Sequence, residues 1–321
     1  MATDTSTVVS QDETTESTAG HQHISARKRA WDQIKTDRTA LFGAVIVAIM
    51  SALAIFSAID QFLLGRQIIS TILHDPFSTA SENRLASPSA DHPFGTDHQG
   101  RDNLARIIYG ARTSIVVGLA AVGFASLVGV AIGLVTAYYG DAVDMVGMRA
   151  MDVILAFPAI LLAIALMAVF GRGIENVVLA LGIVYIPTFA RITRSEVLSE
   201  KSEEYVDAAR VIGYPNRTIM TRELLPNCLT PITVQFTFML ALAIIAEAAL
   251  SFLGVGVSPT TPSWGIMLAN ARDYMRLEWW WFSVFPGIAI MITVLGFNLL
   301  GDSLRDALDP QQNSDRKTGR M

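Results

Sequence analysis

EEYVDAARVIGYPNRTIMTRELLPN, residues 203–227, separates two apolar blocks, each long enough to cross a bilayer. Val206, Ala209 and Ile212 recur at helical spacing with acids on another face, the pattern of an amphipathic helix. Gly213 stops that helix, because glycine takes the left-handed C-terminal conformation cheaply. Pro215 suits the first turn of a second helix, where its missing N–H has no partner to lose. This second helix carries Ile219, Leu224 and Leu225, with Pro226 beside its end. The stretch predicts two short helices around a glycine corner, outside the bilayer and between two spans; a plain solvated loop is the competing reading. Such an island offers helical surface to a separate protein in the adjacent water.

The chain around it is suited to lipid. Of 321 residues, 51% are hydrophobic and 17% charged, against about 25% charged in soluble domains, and mean hydropathy is +0.42. These values predict an all-α polytopic membrane protein. A net charge of −5 argues against binding nucleic acid. A single cysteine, Cys228, excludes an intrachain disulfide framework and a multi-cysteine metal site.

Working outward gives six transmembrane helices. Residues 1–38 form a cytoplasmic tail: the first 26 are too polar to offset chain entropy and read as disordered. Arg27, Lys28, Arg29, Lys35 and Arg38 follow as a basic flank. Span one occupies residues 39–60, whose uncharged run of about twenty residues matches roughly 30 Å of hydrocarbon. No small-residue cleavage site follows, so it is a retained span rather than a signal peptide. The basic flank holds its N-terminus in the cytoplasm. Residues 61–112, broken by Pro76, Pro88 and Pro93, form an extracytoplasmic segment. Its Arg66, Arg84, Arg101, Arg106 and Arg112 run against the positive-inside rule.

Five further helices fall within residues 113–304. Span two covers residues 114–137, with Ala121, Ala125, Gly129, Gly133 and Ala137 at every fourth position, a stripe suited to close helix packing or, less specifically, lipid-facing composition. A hairpin with Asp141, Asp144 and Arg149 leads to span three, residues 151–170, in which Pro158 predicts a kink. Span four is residues 174–192. A cytoplasmic loop, residues 195–228, holds the island, and span five is residues 232–253. After a second external segment, Trp279, Trp280 and Trp281 mark the start of span six, since indoles favour the membrane–water interface. Residues 305–321 are a second tail. Six spans put both termini and the island in the cytoplasm of a plasma (inner) membrane protein.

Asp207-Ala208-Ala209, three residues, Gly213 and then Leu225-Pro226 resemble the coupling loop of binding-protein-dependent ABC importer permeases, with Asp207 where that family usually has glutamate. FGTDHQGRD (94–102), AEAALSFLGVGV (246–257), TPSWG (261–265) and NLLGDSLRDALDP (298–310) resemble the C-type subunit of the dipeptide/oligopeptide/nickel permeases. The resemblance implies a type I ABC importer permease fold and half of a translocation pathway. It also implies partners: a homologous B-type permease subunit, two ABC ATPase subunits that carry ATP and magnesium, and an extracytoplasmic substrate-binding protein. In that reading Asp207 pairs with a basic group of the ATPase, and Ala208 and Ala209 keep the docking helix narrow. Gly213 fixes the corner, and Leu225 and Pro226 join the loop to span five.

Phosphate-cradling GxxxxGK[ST] is absent, since none of Lys28, Lys35, Lys201 and Lys317 follows a glycine, so ATP hydrolysis is expected on other subunits. No HExxH or GxSxG motif occurs either, and the chain is expected to bind no metal or other cofactor itself. His21 and His23 lie in the tail, and His74, His92 and His98 along residues 61–112. They read as exposed polar filler, with weak metal binding as the alternative. Glu247 lies inside span five, where an unpaired carboxylate is costly; it either neutralises a substrate's amino group or anchors a neighbouring helix. An ion-coupled secondary transporter is the main rival class, but it normally carries duplicated halves, and no internal repeat is found. An intramembrane enzyme lacks a nucleophile–base pair.

Overall fold

The structure, a computed structural model, describes residues 37–65, 67–274 and 277–308. The expectations for residues 1–36, Arg66 and residues 309–321 lie outside these. Among the described residues ten helices carry the architecture: α1 (Arg38–Phe62), α2 (Gln67–Ile72), α3 (Asn103–Tyr139), α4 (Asp141–Leu155), α5 (Ala159–Phe170) and α6 (Ile174–Glu200). They continue with α7 (Glu204–Val211), α8 (Asn216–Phe252), α9 (Trp264–Ala271) and α10 (Trp281–Leu308). Five of them are long and apolar enough to cross a membrane, and the bent pair α4–α5 makes up to six crossings.

α3 and α6 form the centre. The small-residue stripe lies on their interface: Ala121, Ala125 and Ala137 are fully buried. A Cβ added to Gly129 would come within 2.6 Å of the Ile186 carbonyl, and one added to Gly133 within 2.8 Å of Thr193 Cβ. Glycine is needed at both positions for this approach, and a larger side chain would force the helices apart at a cost of roughly 1–3 kcal/mol. Contacts advance in the same direction on both helices, from Gly129 against Ile186 to Gly133 against Ala190, so α3 and α6 run parallel. The chain must therefore return between them, and α4–α5 makes that return.

That return corrects the expectation for span three. Residues 141–155 are not a hairpin but the amphipathic helix α4, and the continuous span is broken, with α5 bent 88° away. Pro158 breaks rather than kinks it, since proline removes a donor and excludes helical geometry from the residue before it. Asp144 holds Arg194 through both carboxylate oxygens, and Asp152 holds Arg191 at 2.6 Å; these pairs keep α4 against α6. The twelve residues of α5 extend only about 18 Å, too short to cross alone.

Other boundaries move outward. α3 begins at Asn103 rather than 114 because Asp102 caps it, its Oδ1 accepting from the Ala105 N–H at 2.8 Å. The polar first turns stay ordered because Arg106 and Tyr109 are buried there. α6 runs to Glu200 rather than ending at 192. Span six starts at Trp281, where the tryptophans place it.

The segment between α1 and α3 is packed rather than open. Asp60, fully buried at the end of α1, accepts from the Tyr109 hydroxyl at 2.5 Å and from the Ile68 N–H at 2.8 Å. Asp97 receives Arg101 Nε at 2.6 Å, with Arg106 Nε 3.8 Å away. Arg84 donates to the His98 carbonyl at 2.7 Å, and Arg112 lies 5.0 Å from the Phe62 ring. Four of the five arginines that run against the positive-inside rule are thus engaged within the fold. Two of the histidines are not exposed filler: His92 is buried against Asp102, and His98 stacks on Tyr274, whereas His74 is exposed.

Candidate functional site

The island folds as a module on one face of the helix bundle. α7 turns two residues inward, Val206 at 0% and Ala209 at 5% exposure, onto a core that includes Ile219, Leu224 and Cys228. It ends as a glycine-terminated helix should. The Gly213 N–H donates to the Arg210 carbonyl and the Tyr214 N–H to the Ala209 carbonyl, at 3.0 and 3.1 Å, the two bonds of a Schellman cap. Gly213 has φ +88, and nothing lies within 4 Å of where its Cβ would be. Backbone conformation, not space, requires glycine here.

The second half differs from expectation. No separate second helix exists; α8 runs from Asn216 through the island into the bilayer block, and Pro215 is its N-cap residue rather than a first-turn residue. Pro226 lies within this helix instead of at an end. Proline crowds the carbonyl four residues back, and the chain answers with one wide turn, Ile219–Leu224, in which the Leu225 N–H reaches the Met220 carbonyl. Such π-type turns are a recognised way to carry an irregularity through a helix.

Two polar ties fix the module to the spans. Tyr205 Oη donates to Glu200 at 2.7 Å and accepts from Asn227 Nδ2 at 3.0 Å, joining α6, α7 and α8. Burial, with the Glu200 hydrogen bond, pushes the Tyr205 phenol up to about 12, so it stays protonated and keeps donating. Lys201 Nζ donates to the carbonyls of Tyr138 (2.6 Å) and Ala137 (3.2 Å), and Tyr138 Oη donates to Asn216 at 2.9 Å. A lysine on the last carbonyls of α3 also meets the negative end of that helix's dipole.

What remains outward is a ridge at the corner. Asp207 and Ala208 are exposed, with Asp207 bonded to Arg210 of its own helix at 2.8 Å. Val211 is 88%, Ile212 71% and Tyr214 43% exposed. Ile212 therefore does not share the inward stripe with Val206 and Ala209. Leu225 is half-buried and Pro226 exposed, away from the corner. Sequence reasoning missed Lys201, Tyr138, Asn216, Tyr205 and Asn227, because each acts on a partner far along the chain. Val211-Ile212 carried a usable signal: two large apolar residues beside a helix stop.

Glu247 lies elsewhere, near the opposite end of α8. It is fully buried and receives Ser114 Oγ at 2.9 Å from α3 and Ser251 Oγ at 2.8 Å from its own helix. The Trp264 indole N–H donates to the Ile107 carbonyl at 3.0 Å, so α9 braces the same end.

Residues 129–314 match the family described as binding-protein-dependent transport system inner membrane component. A dipeptide transport system permease protein of Alkalihalophilus pseudofirmus is 42% identical over 291 residues, 91% of this chain and 92% of that protein. A di/tripeptide transport system permease protein of Pseudomonas aeruginosa is 39% identical over 89% of this chain and 93% of its own length. A glutathione transport system permease protein of Escherichia coli is 41% identical over 88% and 89%. Among solved structures, an inward-facing form of the MetNI methionine ABC transporter shares the fold, with a TM-score of 0.51 at 16% identity over 64% of this chain and 96% of that one. The chain is a multi-pass membrane protein and belongs to the inner membrane components of binding-protein-dependent transport systems, the permease subunits of ABC importers.

Proposed function

We propose that this permease subunit imports short peptides, and that α7 and the Gly213 corner receive the ATP-driven motion. The carrying observation is the outward ridge of Asp207, Ala208, Val211, Ile212 and Tyr214 on a base tied to α3, α6 and α8. An exposed apolar ridge on a rigid base suits a protein partner better than water. ATP and magnesium belong to two separate ATPase subunits, and this chain carries neither. A homologous B-type permease completes the pathway, and an extracytoplasmic binding protein delivers the substrate. The ridge then faces the cytoplasm with both termini, in the plasma (inner) membrane, and residues 61–112 face outward.

Peptide is the substrate class because the relatives above are named for dipeptides, di- and tripeptides and glutathione. Glu247, satisfied by two serines, serves as a helix anchor rather than a substrate contact. The test is purification of the chain from its own membranes in mild detergent, with uptake of a labelled dipeptide measured in the same cells. Two ATPase chains and a second permease are expected to co-purify, and Val211→Asp with Ile212→Asp to release the ATPases. Dipeptide uptake that persists without any ATPase would sink the coupling. ATP-dependent uptake blind to peptides but competed by another solute would sink the substrate class alone.

A further inference from the structure

On the face opposite α7, three residues far apart in sequence converge. His74 follows α2, His92 sits in a turn, and Asp102 caps α3. One donor atom from each lies within 4.8 Å of the other two. We propose that His74, His92 and Asp102 bind a divalent transition-metal ion of the zinc class, cross-linking residues 74–102 to the start of α3.

Two of the three ligands are already set. Asp102 Oδ1 is engaged by the Ala105 N–H at 2.8 Å, which directs Oδ2 toward His92 Nδ1 at 2.9 Å. The His92 backbone is fixed in its turn: its carbonyl accepts the Ser89 and Gly95 N–H groups, both at 2.9 Å, and its N–H donates to Ser89 Oγ at 3.1 Å. Both side chains are buried, while His74 is exposed above them with its ring centroid 4.3 Å from that of His92. His74 is therefore the arm that closes on an ion, and the other two are the seat.

The donor set selects the ion. Two imidazoles and one carboxylate suit zinc, nickel or copper, whereas magnesium and calcium prefer oxygen throughout. Ligand bonds of about 2.0–2.2 Å require the donors to draw in by roughly an ångström, which a rotation of the exposed His74 supplies. Three protein ligands with one side open leave a coordination position for water. A hydrogen bond between His92 and Asp102 with His74 stacked over it could also stand without metal, and the two cases differ in measurable ways.

The experiment uses the full chain in lipid nanodiscs, purified without a polyhistidine tag. His21 and His23 are replaced by alanine throughout, so that the tail pair does not contribute. Calorimetric titration with zinc chloride is expected to give one ion per chain, undiminished by millimolar magnesium, and His74→Ala to weaken binding at least tenfold. Because His74 is exposed, that variant keeps its fold, checked by an unchanged melting temperature in chelator. X-ray absorption of the zinc-loaded parent protein is expected to report two imidazoles. No saturable zinc binding, equal affinity in His74→Ala, or fewer than two imidazoles at the ion would each overturn the proposal.

Discussion

The two ends of the helix bundle solve opposite problems. On the far face, residues 75–106 and the start of α10 close on themselves. Asp97 sits between two buried arginines, Phe94 stacks on Phe285 at 4.1 Å, and the Trp281 N–H reaches the Thr96 carbonyl. On the α7 face Lys201 and Tyr205 are spent inward, on the ends of α3, α6 and α8, and large apolar side chains at the corner are left uncovered. One end closes on its own ion pairs and ring contacts, and the other leaves apolar side chains uncovered. An end that closes on itself should respond to mutation through stability, and an uncovered one through association or transport.

The contrast is strongest at Asp97. Asp97→Ala removes the carboxylate between Arg101 and Arg106, and breaking such a buried pair costs about 3–5 kcal/mol. A large drop in melting temperature of the purified chain is expected, and an unchanged midpoint would show that the far face does not rest on this cluster. Gly213→Val comes next. A β-branched residue at positive φ is strained by about 1–2 kcal/mol, enough to distort the corner. Membrane insertion is expected to be normal and uptake to fall about tenfold or more, the equivalent of ~1.4 kcal/mol; unchanged uptake would remove the corner from coupling.

Lys201→Met should have an intermediate effect. It strips two carbonyls at the end of α3 of their cation, a loss of about 1–2 kcal/mol. Recovery of the ATPases should be normal while uptake drops, with Lys201→Arg restoring part of it; full uptake in Lys201→Met would make the tie incidental. Asp207→Ala is expected to be mildest. The carboxylate is exposed and bonded within its own helix, a pairing worth about 0.2–0.5 kcal/mol. ATPase recovery should fall about twofold, and equal recovery would exclude Asp207 from the contact.

Much of this was legible from residue order. Apolar runs located the long helices, the every-fourth stripe identified the face that α6 meets, and Gly213 marked the corner. These are local signals, each carried by neighbours within a few turns. What escaped was either a matter of degree or of distance. Pro158 announced an irregularity, but whether a proline kinks or breaks depends on what holds the helix before it, here Asp144 and Asp152 on Arg194 and Arg191. Pro226 announced a helix end and instead sits in a continuous helix, because a wide turn absorbs it. The far face was unreadable as structure, since its pairs join Arg84 to His98, Thr96 to Trp281 and His92 to Asp102. In the candidate site the corner was visible and its supports were not.

The wide turn at Ile219–Leu224 has an angular consequence. An α-helix advances about 100° per residue, and a turn that accommodates one additional residue offsets everything before it by that amount. The azimuth at which the Val211–Ile212 ridge leaves the bundle, measured against the Ser114-facing side of Glu247, is therefore set by one residue's worth of slack. Rewinding Ile219–Leu224 as a regular α-helix, with no residue removed, would undo that offset. The ridge would swing by about a quarter turn while its own sequence stayed intact.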